Sequence, residues 1–399
     1  MTQHIASNHM DMCRFRGVQD PEYRKVIGAL DLIRARMSEK RVDIEQSSAT
    51  QELTRQRELK MDAMWFPAID ARYATIKAAH AKTCKWLLQR SEYQDWLNVA
   101  KISTHHGLFW IKGKPGSGKS TLLKFAVQSI RKAMRSAVVI CFFFNARGED
   151  LEKSTLGMYR SLLSQLLRAL PDIQEILDHY TPVQVGDNTE WLIEHLRNLF
   201  AAAVQRLGER HLICFIDALD ESDEDQIRDL VVFLEELGRP TASSPINFRV
   251  CLSSRHYPHI SISNGIEMTL EGQEGHDQDI SNFLCSELKA GGGTVFEAIK
   301  DEILNRASGV FLWVALVVQI LNKEYDHGRV HALRKRLKEI PDGLDKLFED
   351  ILTRDNAHFE ELILCLQWIL YAKRPLKREE LYYAVLSGTD EEALDTLGP

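Results

Sequence analysis

The sequence of 399 residues predicts an α/β fold in which a parallel sheet lies between two layers of helices, with a helical region after it. Short apolar runs bounded by polar residues indicate strands that are buried on both faces. A helical pattern or a long crossover follows each run, and connections of that length join parallel neighbours. The expected strands cover residues 107–111, 138–144, 212–216, 248–255 and 266–270, and the expected helices between them include 154–170 and 190–206.

A glycine-rich loop follows the first expected strand. Residues 113–120 read Gly-Lys-Pro-Gly-Ser-Gly-Lys-Ser, the full G-x-x-x-x-G-K-S pattern, and a helical run begins at Ser120. The glycines let successive backbone N–H groups point inward at phosphate oxygens, and the helix presents its positive end to the same anion. Lys119 would reach the outer phosphates, and the Ser120 hydroxyl would bind Mg²⁺. The candidate nucleotide-binding residues are Gly113, Lys114, Pro115, Gly116, Ser117, Gly118, Lys119, Ser120 and Thr121.

Acidic residues follow the third expected strand. Asp217 comes directly after the apolar run 212–216, at the carboxyl end of the strand, where open α/β sheets place ligands. It is expected to bind Mg²⁺ together with Ser120, directly or through water. Asp220 and Glu221 lie at the same rim, and either of them would orient or deprotonate the attacking water. The sequence leaves open which of the two does so.

The next expected strand ends in a cation. Arg255 closes the apolar run that begins at Phe248, so it would lie at the same rim as Asp217 if these two strands are neighbours. A guanidinium there can bond the terminal phosphate and report whether that phosphate is present. Arg255 is therefore a third candidate catalytic residue, beside Asp220 and Glu221.

These segments together resemble a known family. The stretches 110–121, 215–221 and 251–258 resemble the NACHT-domain STAND P-loop NTPases, in particular the fungal NLR-like proteins of the heterokaryon-incompatibility type, and the likeness extends over about residues 67–390. It implies a P-loop NTPase core that works as a nucleotide switch between an N-terminal effector and C-terminal sensor repeats. Relatives often carry Gly-x-Pro where the adenine packs, and the matching stretch here, 309–311, ends in phenylalanine instead.

Composition shifts and the resemblance together predict five segments. The first is charge-dense, with 11 Lys/Arg against 10 Asp/Glu, and carries an apolar stripe of Val26, Leu30, Ile33 and Met37. That stripe would dock within the chain or form a short coiled-coil seam. No period of about 20–50 residues is present, so no sensor repeats are expected in this chain. The segments are a charged helical N-terminal segment (1–66), a helical lead-in (67–106), the NACHT P-loop NTPase core (107–272), a helical domain (273–340) and a partial winged-helix domain (341–399).

Charge and hydropathy argue against two kinds of partner. The net charge is −7, and residues 329–380 carry 11 Lys/Arg and 10 Asp/Glu with the signs interleaved, which disfavours nucleic-acid binding. The longest apolar run, 310–318, is far short of the roughly 20 residues of a membrane span. The first 20 residues are polar and show no signal peptide. A cytoplasmic location without membrane or nucleic-acid partners is therefore expected.

The favoured function is a nucleotide-dependent signal-transduction switch that binds ATP or ADP and hydrolyses ATP slowly with Mg²⁺, with GTP left open as the nucleotide. Protein partners or self-association in the ATP state would pass the signal on. Two other functions fit the same motifs. One is a constitutive ATP-dependent remodelling ATPase that acts on nucleic acid or protein, and the other is a nucleotide-binding scaffold that never hydrolyses.

Overall fold

The computed structural model describes residues 17–80, 83–185, 188–242, 246–257, 259–289, 293–353 and 359–389. The chain divides into two compact units. One unit holds the residues up to Ala63 together with Leu177–Thr181, and the other holds the rest of the chain. Within the described ranges, no helix is both long and apolar enough to cross a membrane.

A single helix, α1 (Pro21–Asp62), makes up most of the smaller unit. It begins where the Asp20 side chain accepts a hydrogen bond from Glu22 N at 3.0 Å, with proline at the first helical position, and both features favour a helix start. The predicted apolar stripe is not buried within this unit, and its coiled-coil alternative stays a prediction. Three residues of the stripe are exposed, namely Leu30, Ile33 and Met37.

Seven strands occur in the described residues: β1 (Leu108–Lys112), β2 (Val138–Phe143), β3 (Val183–Val185), β4 (Asn188–Glu190), β5 (His211–Asp217), β6 (Asn247–Ser254) and β7 (Ile266–Thr269). β3 and β4 form a separate antiparallel pair. The other five form one parallel sheet in the order β2-β5-β6-β1-β7. The five expected strands are confirmed, with ends within one residue of the expected ones.

Helices cover both faces of the sheet. On one face α5 (Lys119–Ala133) contributes Leu123 to a core that also holds Phe109 and Phe215. On the other face the rings of Phe200 in α7 and Phe248 in β6 lie 6.1 Å apart. The expected three-layer α/β fold is confirmed. The helices of this part are α2 (Ala71–Thr75), α3 (Ser91–Leu97), α4 (Ile102–His105), α5 (Lys119–Ala133), α6 (Thr155–Ala169), α7 (Ile193–Gln205) and α8 (Glu224–Thr241).

A helical region follows the sheet. Its core is built around α11 (Phe311–Asp326), where Trp313, Val317 and Leu321 are buried among residues of the neighbouring helices. The described residues after 341 form helices only, and the winged-helix assignment of 341–399 stays a prediction. The helices are α9 (Glu274–Glu287), α10 (Thr294–Ala307), α11 (Phe311–Asp326), α12 (Leu333–Glu339), α13 (Leu344–Thr353), α14 (Phe359–Tyr371) and α15 (Arg378–Thr389).

Candidate nucleotide-binding site

The glycine-rich loop joins β1 to α5. Gly116 and Gly118 have φ angles of +74° and +100°, in the left-handed region that glycine adopts without steric cost. The loop begins against the end of β6, where Gly113 N donates to Ser254 O at 3.2 Å. It ends at the N-terminus of α5, whose partial positive charge faces the loop. This is the strand–loop–helix arrangement that a phosphate site requires.

The Lys119 side chain folds back over the loop. Its Nζ donates to Gly113 O at 2.8 Å and to Lys114 O at 2.9 Å. Burial lowers the pKa of Lys119, while the nearby carboxylates of Asp220 and Asp217 oppose this shift. An ammonium has three donors, so one remains for a ligand.

Asp217 is the last residue of β5 and is fully buried. Its Oδ1 accepts a hydrogen bond from the Ser253 hydroxyl, while its Oδ2 has no hydrogen-bond partner within the described residues. Burial raises the pKa of Asp217 to about 6, against the opposing effects of the Ser120 and Ser253 hydroxyls and of Lys119. A buried carboxylate with an unpartnered oxygen near Ser120 favours a bound cation.

Asp217→Asn is expected to stabilise the nucleotide-free protein near neutral pH, because it removes a buried charge. The pKa of Asp217 is 3.8 in the unfolded chain and about 6 in the folded one, so the wild type loses stability relative to the variant as the pH rises through this interval. The difference in unfolding free energy would be about 2–3 kcal/mol at about pH 7.5 and would vanish near about pH 4. Urea unfolding of both proteins at the two pH values measures it, and a pH-independent difference would contradict the buried charge.

Asp220 and Arg255 form a pair at the rim of the sheet. Arg255 Nε lies 2.9 Å from Asp220 Oδ2, and Arg255 N donates to Asp220 Oδ1 at 2.7 Å. The two strands that end at this rim, β5 and β6, are neighbours in the sheet. The condition under which Arg255 was expected near Asp217 is therefore met. Both oxygens of Asp220 are therefore engaged, and the side chain of Arg255 remains 51% exposed.

Glu221 has a different environment. Its Oε2 accepts a hydrogen bond from Ala146 N at 2.9 Å, in the loop after β2. Its Oε1 forms no hydrogen bond with any described residue. Of the two carboxylates that the sequence left open, Glu221 is the one with an oxygen available to orient water. The catalytic roles of Glu221, Asp220 and Arg255 stay predictions.

Glu271, which follows β7, is a residue at the loop that the sequence reasoning missed. Its carboxylate accepts a hydrogen bond from Lys114 N, and its Oε2 lies 3.1 Å from His256 Nε2. Glu271 therefore links the phosphate loop to the segment that follows β6. A carboxylate directly after an expected strand was the signal that singled out Asp217, and the same signal was present at Glu271.

A cavity of about 700 Å³ lies beside the loop, within the size range of small-molecule sites. The loop, the residues after β5 and β6, the helical lead-in and the helices α9 and α11 all contribute to its walls. Its polar lining includes Lys119, Ser120, Asp220, Glu221 and Arg255 near the loop and Arg72 and Lys77 on the lead-in, and its apolar lining includes Trp86, Phe283, Phe311 and Leu312.

The first turn of α11 contacts the phosphate loop directly. Leu312 N donates to Gly116 O at 2.9 Å, and Lys114 Nζ donates to Ser308 O at 3.1 Å. Phe311, at the position where relatives often have proline, lines the cavity. The helical region thus forms one wall of the site and is hydrogen-bonded to its phosphate-binding end.

Asp279 of α9 accepts hydrogen bonds from the helical lead-in at another wall of the cavity. Its Oδ2 accepts hydrogen bonds from Cys84 N at 2.6 Å and from Trp86 Nε1 at 2.9 Å. Burial raises the pKa of Asp279, while these two hydrogen bonds act in the opposite direction. Cys84 and Trp86 of the lead-in are therefore held against α9 at the site.

Ser120 and Asp217 are the candidate metal ligands of the site. The described residues contain no group of three or more His, Cys, Asp or Glu that would hold a metal ion. Ser120 and Asp217 offer two oxygens, and Mg²⁺ in proteins commonly uses one or two such ligands and completes its shell with water and substrate phosphates. The residues present therefore fit a Mg²⁺ ion that arrives with a nucleotide.

The parallel sheet, the loop between β1 and α5, and the buried Asp217 at the end of β5 define an α/β P-loop nucleotide-binding protein. Residues 82–255 match the family model described as Nephrocystin 3, N-terminal. Over 319 residues the chain is 30% identical to the vegetative incompatibility protein HET-E-1 of Podospora anserina, covering 74% of this chain and 22% of that protein. These matches confirm the resemblance seen in the sequence: the chain is similar to the fungal NACHT-type, NLR-like proteins.

The chain spans about a fifth of the length of the curated relative it matches. Solved structures show a weaker likeness. Cdc6p from Pyrobaculum aerophilum has a TM-score of 0.42 and 11% identity, covering 81% of this chain and 84% of that one. The Drosophila ORC structure has a TM-score of 0.40 and 10% identity, covering 88% of each chain.

Proposed function

We propose that this chain is a nucleotide-dependent switch that binds ATP or ADP and hydrolyses ATP slowly. The observation that carries the proposal is the hydrogen bond from Leu312 N to Gly116 O. It joins the helical region to the loop that would hold the phosphates, so a change in the bound phosphates would act on the first turn of α11. Such coupling is what a switch needs and what a plain binding site does not.

In the proposed chemistry, side chains of the site have four roles. Lys119 would neutralise phosphate charge through its remaining donor. Ser120 and Asp217 would hold Mg²⁺, which supplies positive charge to the phosphate oxygens when bound. Glu221 would orient the attacking water through the oxygen that makes no hydrogen bond. The fourth role, reading the terminal phosphate, would belong to Arg255.

Arg255 would report the terminal phosphate by changing partners. Its exposed guanidinium is bound to Asp220. A phosphate at the rim would compete for that guanidinium, because phosphate accepts two parallel hydrogen bonds from it. The exchange would occur with ATP and not with ADP. It would give the two nucleotide states different contacts at the ends of β5 and β6.

The proposal extends to partners. The ATP state is proposed to present a surface for protein partners or for self-association, whereas nucleic acid has no part in it. The balanced and interleaved charges of residues 329–380 support this choice, because such a surface releases few counterions on binding DNA. A cytoplasmic location stays an expectation from the sequence.

Light scattering in ADP and in a non-hydrolysable ATP analogue tests the switch. A larger mass in the analogue is expected, together with slow ATP turnover that does not respond to DNA. An equal mass in both nucleotides, with fast turnover stimulated by DNA, would favour the remodelling ATPase. Tight binding of ATP without any turnover would favour the scaffold.

A further inference from the structure

The nucleotide cavity contains two cations that the proposed chemistry does not use. Arg72 and Lys77 line it from the helical lead-in, and neither forms an ion pair with a described residue. The other cations near the loop are engaged, because Lys114 Nζ donates to Ser308 O and Arg255 is bound to Asp220. An unneutralised positive charge at the lead-in side of the cavity suits an anionic part of the ligand.

Arg72 is the better placed of the two. Its Nε is buried and has no hydrogen-bond partner among the described residues, whereas Lys77 is exposed. A buried donor without an acceptor is unfavourable, and an anion in the cavity would supply the acceptor. The guanidinium also matches the two-oxygen geometry of a phosphate.

The segment that carries Arg72 is firmly held against α5. Lys124 Nζ donates to Tyr73 O at 2.7 Å and to Ile76 O at 2.6 Å. The Tyr73 ring packs on Phe143 with centroids 5.2 Å apart, and Ile76 belongs to the core on that face of the sheet. Arg72 therefore projects from an anchored segment, which favours a defined contact over a loose electrostatic one.

The position along α5 indicates which phosphate Arg72 would meet. Lys124 lies three residues after Thr121, so the two share a face of the helix, and on that face Lys124 Nζ donates to Tyr73 O of α2. The outer phosphates belong at Lys119, and the base belongs in the apolar part of the cavity near Phe311. The phosphate nearest the ribose would lie between these two ends.

We infer that Arg72 binds the α-phosphate of the nucleotide, so that this phosphate has a side-chain partner outside the loop. This inference rests on the proposed function, because it assumes that the loop holds the outer phosphates. It adds a binding residue from the lead-in, outside the sheet and its loops. It also assigns the α-phosphate contact to one side chain, which makes this contact separable from the action of the loop.

The test compares ADP with inorganic orthophosphate, which is too short to reach the loop and the Arg72 position at once, as ligands of the 399-residue chain. Arg72→Ala is expected to weaken ADP binding at least about tenfold and to leave orthophosphate binding at the loop within about twofold of the wild type. Arg72→Lys keeps the positive charge but lacks the planar guanidinium that binds two oxygens at once. Its ADP affinity should lie between those of the wild type and Arg72→Ala. Arg135→Ala, on the exposed turn after α5, removes the same charge away from the cavity and serves as the control.

Isothermal titration calorimetry gives the affinities, and thermal unfolding shows whether each variant is folded. Unchanged ADP affinity in Arg72→Ala would overturn the inference, as would equal weakening of both ligands. If Arg72→Ala fails to fold, Arg72→Lys decides, because an ADP-specific loss is still expected there. If the wild type bound neither ligand, this result would contradict the proposed function itself.

Discussion

Lys119→Ala is expected to lower the affinity for both ATP and ADP by at least about a hundredfold with the fold intact. The Lys119 ammonium is the cation held within the loop, and its two hydrogen bonds to loop carbonyls fix it there. Without it, backbone N–H groups and the α5 terminus alone would balance the phosphate charge. Titration calorimetry with each nucleotide measures the loss.

The control for this experiment is Lys132→Ala, which removes the same charge from the exposed last turn of α5. It should bind nucleotide as the wild type does. Circular dichroism on Lys119→Ala would show that helix content is retained. If Lys119→Ala bound ATP as tightly as the control, the loop would not be the phosphate site.

Glu221→Gln is expected to lower ATP turnover by about 10²–10³-fold and to leave ATP binding unchanged. Glutamine keeps an oxygen for the Ala146 N–H but cannot act as a base toward water. Single-turnover hydrolysis with Mg²⁺, beside a binding titration, separates the two effects.

Asp220→Asn is the matched comparison for this second experiment. Because Asp220 is bound to Arg255 through both oxygens, its substitution should change the response to the terminal phosphate more than the hydrolysis step. Normal turnover in Glu221→Gln together with a large loss in Asp220→Asn would move the role of orienting water to Asp220.

Much of the fold was predictable because its determinants are local. Apolar runs that are buried on both faces define the strands, and glycines followed by a helical run define the loop. The proximity of Asp217 and Arg255 was predicted on the condition that their strands are neighbours, because parallel strands end at one edge. The strands and the loop depend on residues close together in the sequence, so the pattern alone identified them.

The remaining parts of the site depend on residues that are distant in sequence. Leu312 contributes a backbone N–H, which no residue pattern marks, and its partner Gly116 lies 196 residues earlier. The difference between Asp220 and Glu221 arises from Arg255 and Ala146, each on another strand end. Arg72 looks like any helical surface arginine until the cavity beside it is known.

Leu312 and Leu344 lie very close to Gly116, and this limits how well the phosphate loop could be moved into another protein. A Cβ at Gly116 would come within 2.9 Å of Leu312 Cβ and 3.0 Å of Leu344 Cδ1, and the positive φ already disfavours any other residue. One side of the loop is thus suited to bind an anion, and the other side packs against α11 and α13. Grafting residues 113–121 onto another sheet would transplant only the first of these surfaces. A chain cut at residue 272 would lack α11 and α13, and with them the residues that approach Gly116.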